Sequence, residues 1–515
     1  MNINIRKIMS FVMILLLASQ IQAVPINTNN LNEWNLSKKM DGIATRDASR
    51  VLLESTVGKS INKPEITARP SDYITREEMA LMLVDVLGYT GIAKRLDSAV
   101  APFKDVEKNR GAITIIKDLG LIRGDNTNRF YPNKTLTNEQ ALVITKRVVD
   151  KLSLPLGEIH SSYAIKSSEQ IDVIKDLNSV SFGWSQVEYD KVSKEAWINT
   201  TASNQNDFNV PEGFEVPLIM ANQENAASYL MVYLNDRMTD QTNQGKQVTL
   251  AAYIFNSKDE RTKLIDEILK ACTQITGEST EAQFDGVTID FENFYNATLK
   301  AGFNTFLKEL KEALDKEDKK LNVAVQPGQY YKGYDYKGIG NIADKVILMA
   351  HDYAPKTLSD KDMQAGFTVT PITPIDAIYK ALKQITDPQN GIDPSKVMLQ
   401  ISFASTQWQV KDNKIINKKP FTPSYDKIYA RLQNKDTQIT YSGLYQNPYA
   451  VYYDAGIKNV IWYENTQSVE AKINLAKMFG VNKISLWRLG TIPNYIDDTN
   501  KKVNLDIMAQ LFPSD

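Results

Sequence analysis

Phe284-Asp-Gly-Val-Thr-Ile-Asp-Phe-Glu-Asn293 is the stretch that decides the fold. Val287, Ile289 and Phe291 alternate with Thr288, Asp290 and Glu292. Successive side chains of a strand point to opposite faces, so one face is apolar and the other carries two carboxylates. Such a strand suits a barrel enzyme, with helices over the apolar face and the acids pointing inward near the strand's C-terminal end. At about 3.3 Å rise per residue, the Cα atoms of Asp290 and Glu292 are expected roughly 6–7 Å apart. Two acids in one poorly solvated pocket cannot both ionise cheaply, so one keeps a transferable proton at neutral pH. General-acid cleavage of a glycosidic bond needs that arrangement. The bland alternative is a structural acid pair bonded to neighbouring strands.

Strands alternate with helices on both sides of this segment, which argues for a parallel α/β arrangement. Strands are expected at 179–184, 248–255, 286–291, 322–325, 345–350, 396–403 and 483–487, and a further one near 216–220 completes eight. Helices are expected at 258–276, 301–318, 374–386 and 468–479. The expected fold is a (β/α)8 TIM barrel over 176–515, with an α+β insertion between the seventh and eighth strands, near 409–460. A small helical region precedes it, at 30–152, and 153–175 reads as a linker broken by Pro155, Gly157 and Ser161-Ser162. His160 falls in that linker and is expected to be a solvated loop residue.

The chain has 515 residues, enough for two or three domains, with 60 basic against 61 acidic residues. Near-zero net charge gives no drive toward nucleic acid. Arg6-Lys7, the apolar run from Ile8 to Ala18 and a cleavage site after Ala23 read as a secretory signal over 1–23. The mature protein is expected to be exported, soluble or wall-attached, with no membrane span after cleavage. Cys272 is the single cysteine, so no intrachain disulfide forms, and its apolar helical setting makes it a small core residue. With two histidines and one cysteine, a zinc site is nearly excluded, and neither a metal nor a cofactor is expected.

The N-terminal region holds an internal repeat. Arg69-Pro-Ser-Asp-Tyr-Ile-Thr-Arg-Glu-Glu78 lines up with Tyr131-Pro-Asn-Lys-Thr-Leu-Thr-Asn-Glu-Gln140. Each copy ends in a capping box, Thr75 with Glu78 and Thr137 with Gln140, that opens an amphipathic helix. With Phe103-Lys-Asp-Val106, Gly120-Leu-Ile-Arg-Gly124 and Phe130-Tyr-Pro132, these residues resemble the S-layer homology module, the first copy being degenerate. The resemblance implies attachment to a secondary cell-wall polymer, with Arg76 and Glu78 as contacts. Asn138 stands where the second box would have its arginine, and Asn cannot make charge-assisted bonds to anionic sugars. A helical module that merely packs on the barrel is the alternative.

The acidic strand, in turn, resembles the signature of glycoside hydrolase family 18, Asp-Gly-x-Asp-x-Asp-x-Glu. Met349-Ala-His-Asp-Tyr353 is similar to the family's Met-x-Tyr-Asp, and Ile484-Ser-Leu-Trp487 to its last strand. Trp462-Tyr-Glu464 and Trp487-Arg-Leu-Gly490 look most like the spore-cortex-lytic glucosaminidase branch, which acts on peptidoglycan rather than chitin. The resemblance implies substrate-assisted retaining hydrolysis beside N-acetylglucosamine. Glu292 would be acid and then base, Asp290 would hold the oxazolinium N–H, and Trp487 would floor the sugar subsite. Asp352, His351, Tyr353 and Gln326 are further candidate substrate contacts. Tyr330, Tyr331, Tyr334, Tyr336 and Trp408 are aromatics that would suit pyranose rings or the core. Two positions depart from the pattern: Thr288 replaces the first inner Asp, and His351 replaces Tyr. They keep open a non-catalytic glycan-binding protein of the chitinase-like lectin kind, and a wall-surface structural protein is the third reading.

Overall fold

The computed structural model describes residues 29, 31–32, 40–61, 72–243, 245–277, 282–497 and 503–513. The expected signal segment, 1–23, lies outside them. Among the described residues no helix is long and apolar enough to cross a membrane.

Eight parallel strands close into a barrel: β1 (Glu158–Tyr163), β2 (Ser179–Asp190), β3 (Ala227–Asn235), β4 (Gly286–Glu292), β5 (Lys320–Val325), β6 (Lys345–Leu348), β7 (Val397–Ser402) and β8 (Lys483–Trp487). Neighbours pair in chain order, and β1 closes the ring by pairing with both β2 and β8. The alternation of β4 is realised as expected. Val287, Ile289 and Phe291 are fully buried, and the Phe291 ring stacks against Phe255 and Phe306 of the covering helices. Gly286 is required by packing. A Cβ there would lie 2.2 Å from the Lys320 carbonyl of β5.

Two of the expected strands are helices. Residues 216–220 lie in the helix Glu215–Gln223, where Pro217 sits in the first turn and so removes no intrahelical bond. Of 248–255, only the start is extended. Thr249 caps a helix from Leu250 to Asn256 whose buried Leu250, Ala251, Ile254 and Phe255 follow a helical stripe, not alternation. The barrel's missing members are β1 and β3. The expected linker at 153–175 therefore contains β1, and His160 is fully buried rather than solvated. Its sequence hid it because its inward side chains meet a polar layer inside the barrel, so apolar alternation is absent. That layer contains His160, Ser181, Thr288, Asn322, Gln400 and Ser485, where branched apolar side chains usually fill a barrel.

The insertion lies between β7 and β8, as expected. It is a five-stranded antiparallel sheet, 406–411, 414–415, 438–442, 447–454 and 457–462, with the helix Tyr425–Leu432. Cys272 is buried in the helix Lys258–Thr276, and burial pushes its thiol up to about 12.

Both capping boxes form before the helical region's helices Arg76–Val86 and Asn138–Leu152. A third helix of the same kind, Arg46–Val57, opens on Thr45. It carries Ala48 in place of the Glu or Gln that completes a box, which concealed it. The three entries bond in a ring: Ala44 N–H to Leu136 O (2.8 Å), Leu136 N–H to Ile74 O (3.1 Å) and Ile74 N–H to Ala44 O (2.9 Å). A second ring joins Arg46 N–H to Asp72 O, Arg76 N–H to Lys134 O and Asn138 N–H to Gly42 O. Asp105 of the Phe-Lys-Asp-Val segment accepts from the N–H groups of Phe130 and Tyr131, both at 2.8 Å.

This region docks on the barrel's flank. Asp118 takes Lys383 (2.6 Å) and the Tyr379 hydroxyl, and Arg95 pairs with Asp376 and lies over the Tyr445 ring. Gly91 brings its backbone against Leu444, where a Cβ would sit 2.9 Å from backbone atoms.

Candidate active site

Strand register sets the site. Tyr233 of β3 and Ala324 of β5 flank Asp290, and Asn235 flanks Glu292. Asp290 is 3% exposed, and its Oδ1 has no hydrogen-bond partner. Burial raises its carboxyl well above the ordinary range, the Glu292 charge adds to this, and His351 opposes it. Glu292 is partly exposed. Burial raises it as well, while His351 and Lys356 pull it down and Asp352 pushes it up. A pair held in this way binds a proton at a pH where free carboxylates have lost theirs, and can hand it to a leaving oxygen.

Gln326, at the end of β5, reaches the pair from one side. Its Oε1 accepts from Asn293 N–H (2.6 Å), which turns its Nε2 toward Glu292 Oε2 at 3.4 Å. The Tyr334 hydroxyl donates to Phe291 O (2.7 Å) and lies 3.4 Å from the same Oε1. His351 faces the pair from the loop after β6. Its Nε2 lies 2.7 Å from Gln400 Oε1, and its Nδ1 lies 3.2 Å from Asp352 Oδ2. Asp352 adopts φ +60°. The buried Tyr353 hydroxyl has no partner. Trp487 ends β8 half-buried.

The structure thus gathers Asp290, Glu292, Gln326, His351 and Asp352 at the C-terminal ends of β4, β5 and β6. Trp408 is not part of it. It is fully buried in the insertion and donates to Thr370. Tyr334 and Tyr336 are core residues, whereas Tyr330 is 56% exposed and Tyr331 lies 5.2 Å from the exposed Tyr295 ring. Sequence reasoning missed Tyr233, whose phenol is raised by burial and by Glu292 and Asp290 and whose ring stacks on Phe208 at 4.5 Å. It also missed Gln400. Neither carries a local signal, because each sits in an apolar strand and reaches the site only through its neighbours, Tyr233 beside Asp290 and Gln400 against His351. In the helical region, Arg76 donates to Phe130 O (2.6 Å) and Arg123 O (2.8 Å), and Glu78 accepts from Arg46 (2.6 Å) as well as closing its capping box.

Asp290→Asn is expected to raise the thermal midpoint at neutral pH. The folded-state pKa is raised, so the folded acid binds its proton more tightly than the unfolded one, and wild-type stability falls as pH rises from about 4 toward the folded value. The amide removes that loss. The gain should therefore grow with pH above about 4 and vanish below it, which calorimetry across pH would read.

Comparison with known proteins adds a family to this geometry. Residues 244–491 match glycosyl hydrolases family 18, and residues 102–142 match the S-layer homology domain. The cortical fragment-lytic enzyme of Bacillus subtilis (strain 168) is 26% identical over 270 residues, covering 49% of this chain and 56% of that protein. The enzyme of the same name from Bacillus anthracis is 24% identical over 262 residues, covering 49% and 56%. The chain spans between 56% and 62% of the length of the first curated relatives it matches. The crystal structure of the Bacillus cereus spore cortex-lytic enzyme SleL shares the fold, with a TM-score of 0.50 at 19% identity over 65% of this chain and 71% of that one. The barrel thus carries a family 18 glycosyl hydrolase domain, and the helical region beside it an S-layer homology domain.

Proposed function

We propose that the protein is an exported glycosidase that cleaves β-1,4 bonds beside N-acetylglucosamine in bacterial cell-wall glycan. The carrying observation is the pair Asp290 and Glu292 on one face of β4, the first buried with an unpartnered oxygen, the second partly exposed, and both carboxyls raised. Glu292 protonates the leaving oxygen, and Gln326 fixes its orientation. The sugar's own acetamido carbonyl attacks the anomeric carbon, Asp290 accepts the oxazolinium N–H, and Glu292 then takes a proton from water. The unpartnered Asp290 Oδ1 and Tyr353 hydroxyl are the groups that such a substrate would satisfy. His351 and Asp352 border the acetamido side, and Trp487 offers a flat face to the pyranose.

Peptidoglycan is preferred to chitin because relatives sharing about half the chain bear the name cortical fragment-lytic enzyme. The proposed extent of the S-layer homology region is 30–152, and that of the catalytic unit begins with β1. Attachment to a secondary wall polymer would use Arg76 and Glu78, whose side chains are held by neighbours and thus pre-organised. A glycan-binding protein without turnover is the second reading. Thr288 favours it, because it is tied to Ser181 (2.7 Å) and cannot pass charge to Asp290.

Mass spectrometry of purified peptidoglycan after incubation with the protein decides between the two. New N-acetylglucosamine reducing ends are expected. Retention of the protein on the glycan with no new ends would contradict the proposal.

A further inference from the structure

A chain of side chains crosses the barrel floor beneath the acids. Thr288 Oγ1 meets Ser181 Oγ at 2.7 Å, and Ser181 Oγ meets His160 Nε2 at 2.8 Å. His160 Nδ1 meets Ser485 Oγ at 2.8 Å, and Gln400 Nε2 donates to that same oxygen at 3.3 Å. Gln400 Oε1 then meets His351 Nε2 at 2.7 Å. Register builds the central part. His160 lies opposite Ser485 across β1 and β8, and Gln400 lies opposite Ser485 across β7 and β8.

We propose that Gln400, anchored by Ser485 and through it by His160, is a positioning residue that keeps His351 a charged imidazolium beside Asp290 and Glu292. The argument is one of donors and acceptors. Ser485 takes the amide N–H of Gln400 and the amide oxygen faces His351 Nε2, an arrangement in which that nitrogen donates. The other ring nitrogen faces the Asp352 carboxylate at 3.2 Å. That contact is at ion-pair distance without hydrogen-bond alignment, so the carboxylate favours a protonated Nδ1 by its charge, while the amide oxygen holds the proton on Nε2. Asp352 is 60% exposed, so solvent screens its pull, whereas Gln400 is 3% exposed and its contact is dry. The charged groups facing His351 are Asp352 from its own loop and Asp290 and Glu292 from β4, with Lys356 acting on Glu292 and Asp352. These acids outnumber the lysine, and the ring's pKa is raised despite burial.

His160 does the opposite. Its partners are two hydroxyls, each able to donate or accept, so a neutral ring that donates at one nitrogen and accepts at the other completes the chain. Burial pulls its pKa down to about 3, with Lys345, itself paired to Glu158 at 2.6 Å, adding to this. One histidine is thus a fixed neutral spacer and the other a fixed charge.

The inference depends on the proposed glycosidase reading only for its catalytic consequence. A positive His351 makes it easier for Glu292 to ionise when it acts as a base, so losing that charge moves the pH–activity profile to higher pH and lowers kcat more than it raises KM.

The test uses the chain's having only two histidines. With histidine labelled at 13Cε1, NMR of the full chain gives two ring signals, assigned with His351→Gln. One should titrate above the ordinary 6.5 and the other should stay flat above about pH 5. Gln400→Leu should move the His351 midpoint down, and Gln400→Glu should move it up. Ser485→Ala, which frees the amide without changing the barrel's apolar core, should also move it down. An unmoved midpoint in Gln400→Leu, equal displacement in the Leu and Glu variants, or a neutral His351 in the native protein would each overturn the inference. These readings need no substrate, so absence of glycan cleavage would refute the proposed function and leave this result standing.

Discussion

Glu292→Gln is expected to cut the release of reducing ends from peptidoglycan on the order of 10²–10⁴-fold, the scale of a lost general acid. Glutamine keeps the shape of the side chain and can still meet Gln326, but it cannot transfer a proton. In the proposed mechanism the same residue acts twice, as acid toward the leaving oxygen and as base toward water, so both steps should fail together. Binding should survive, because Trp487, His351 and Asp352, the proposed sugar contacts, are untouched. The thermal midpoint should not fall, since a partly buried acid with a raised pKa has become a neutral amide. Initial rates by reducing-end assay, paired with glycan pull-down, check both halves. Activity within tenfold of wild type would place the proton donor elsewhere.

Lys472→Met is expected to cost about 3–5 kcal/mol, because it leaves a buried carboxylate without its cation. Lys472 and Glu464 are each 1% exposed and lie 2.7 Å apart. Glu464 also accepts from Ser468 (2.6 Å), Asn447 (2.7 Å) and Thr373. It therefore ties the end of the insertion's last strand to the helix Thr466–Met478 and the segment before Ile375–Ile385. Removing one partner strands a charge, whereas removing both need not. The double variant Lys472→Met with Glu464→Leu should recover much of the loss. Urea unfolding of the single and double variants gives the answer. A single variant as stable as wild type would show that the pair is not dry.

The parts of the fold that were readable in the sequence are those with a local signature. β4 shows its alternation because helices bury one face of it, and the helices at 76–86 and 138–152 show their caps. β1 was not readable, because its inward side chains serve a polar floor and mimic a loop. The helix at 250–256 was mistaken for a strand because seven residues are too few to separate the two periodicities. Asp290 and Glu292 were legible because one strand carries both. Gln400, Ser485 and His160 were not, since their meeting is a product of ring closure between β7, β8 and β1. Thr288 was legible as a departure from pattern but not in its consequence, which is the bond to Ser181.

The docking of the helical region adds a geometric consequence. Contacts through Asp118, Arg95 and Gly91 set its place on the barrel's flank. Any ligand of that region would therefore lie at a set distance and direction from Asp290 and Glu292.

The most direct test of the account is the anomeric configuration of the first product, followed by 1H NMR before mutarotation erases it. Acetamido participation beside Asp290 and Glu292 predicts that the new reducing end is released as the β anomer. Release of the α anomer would mean that water attacks directly from the opposite face, and would contradict the role given to Asp290.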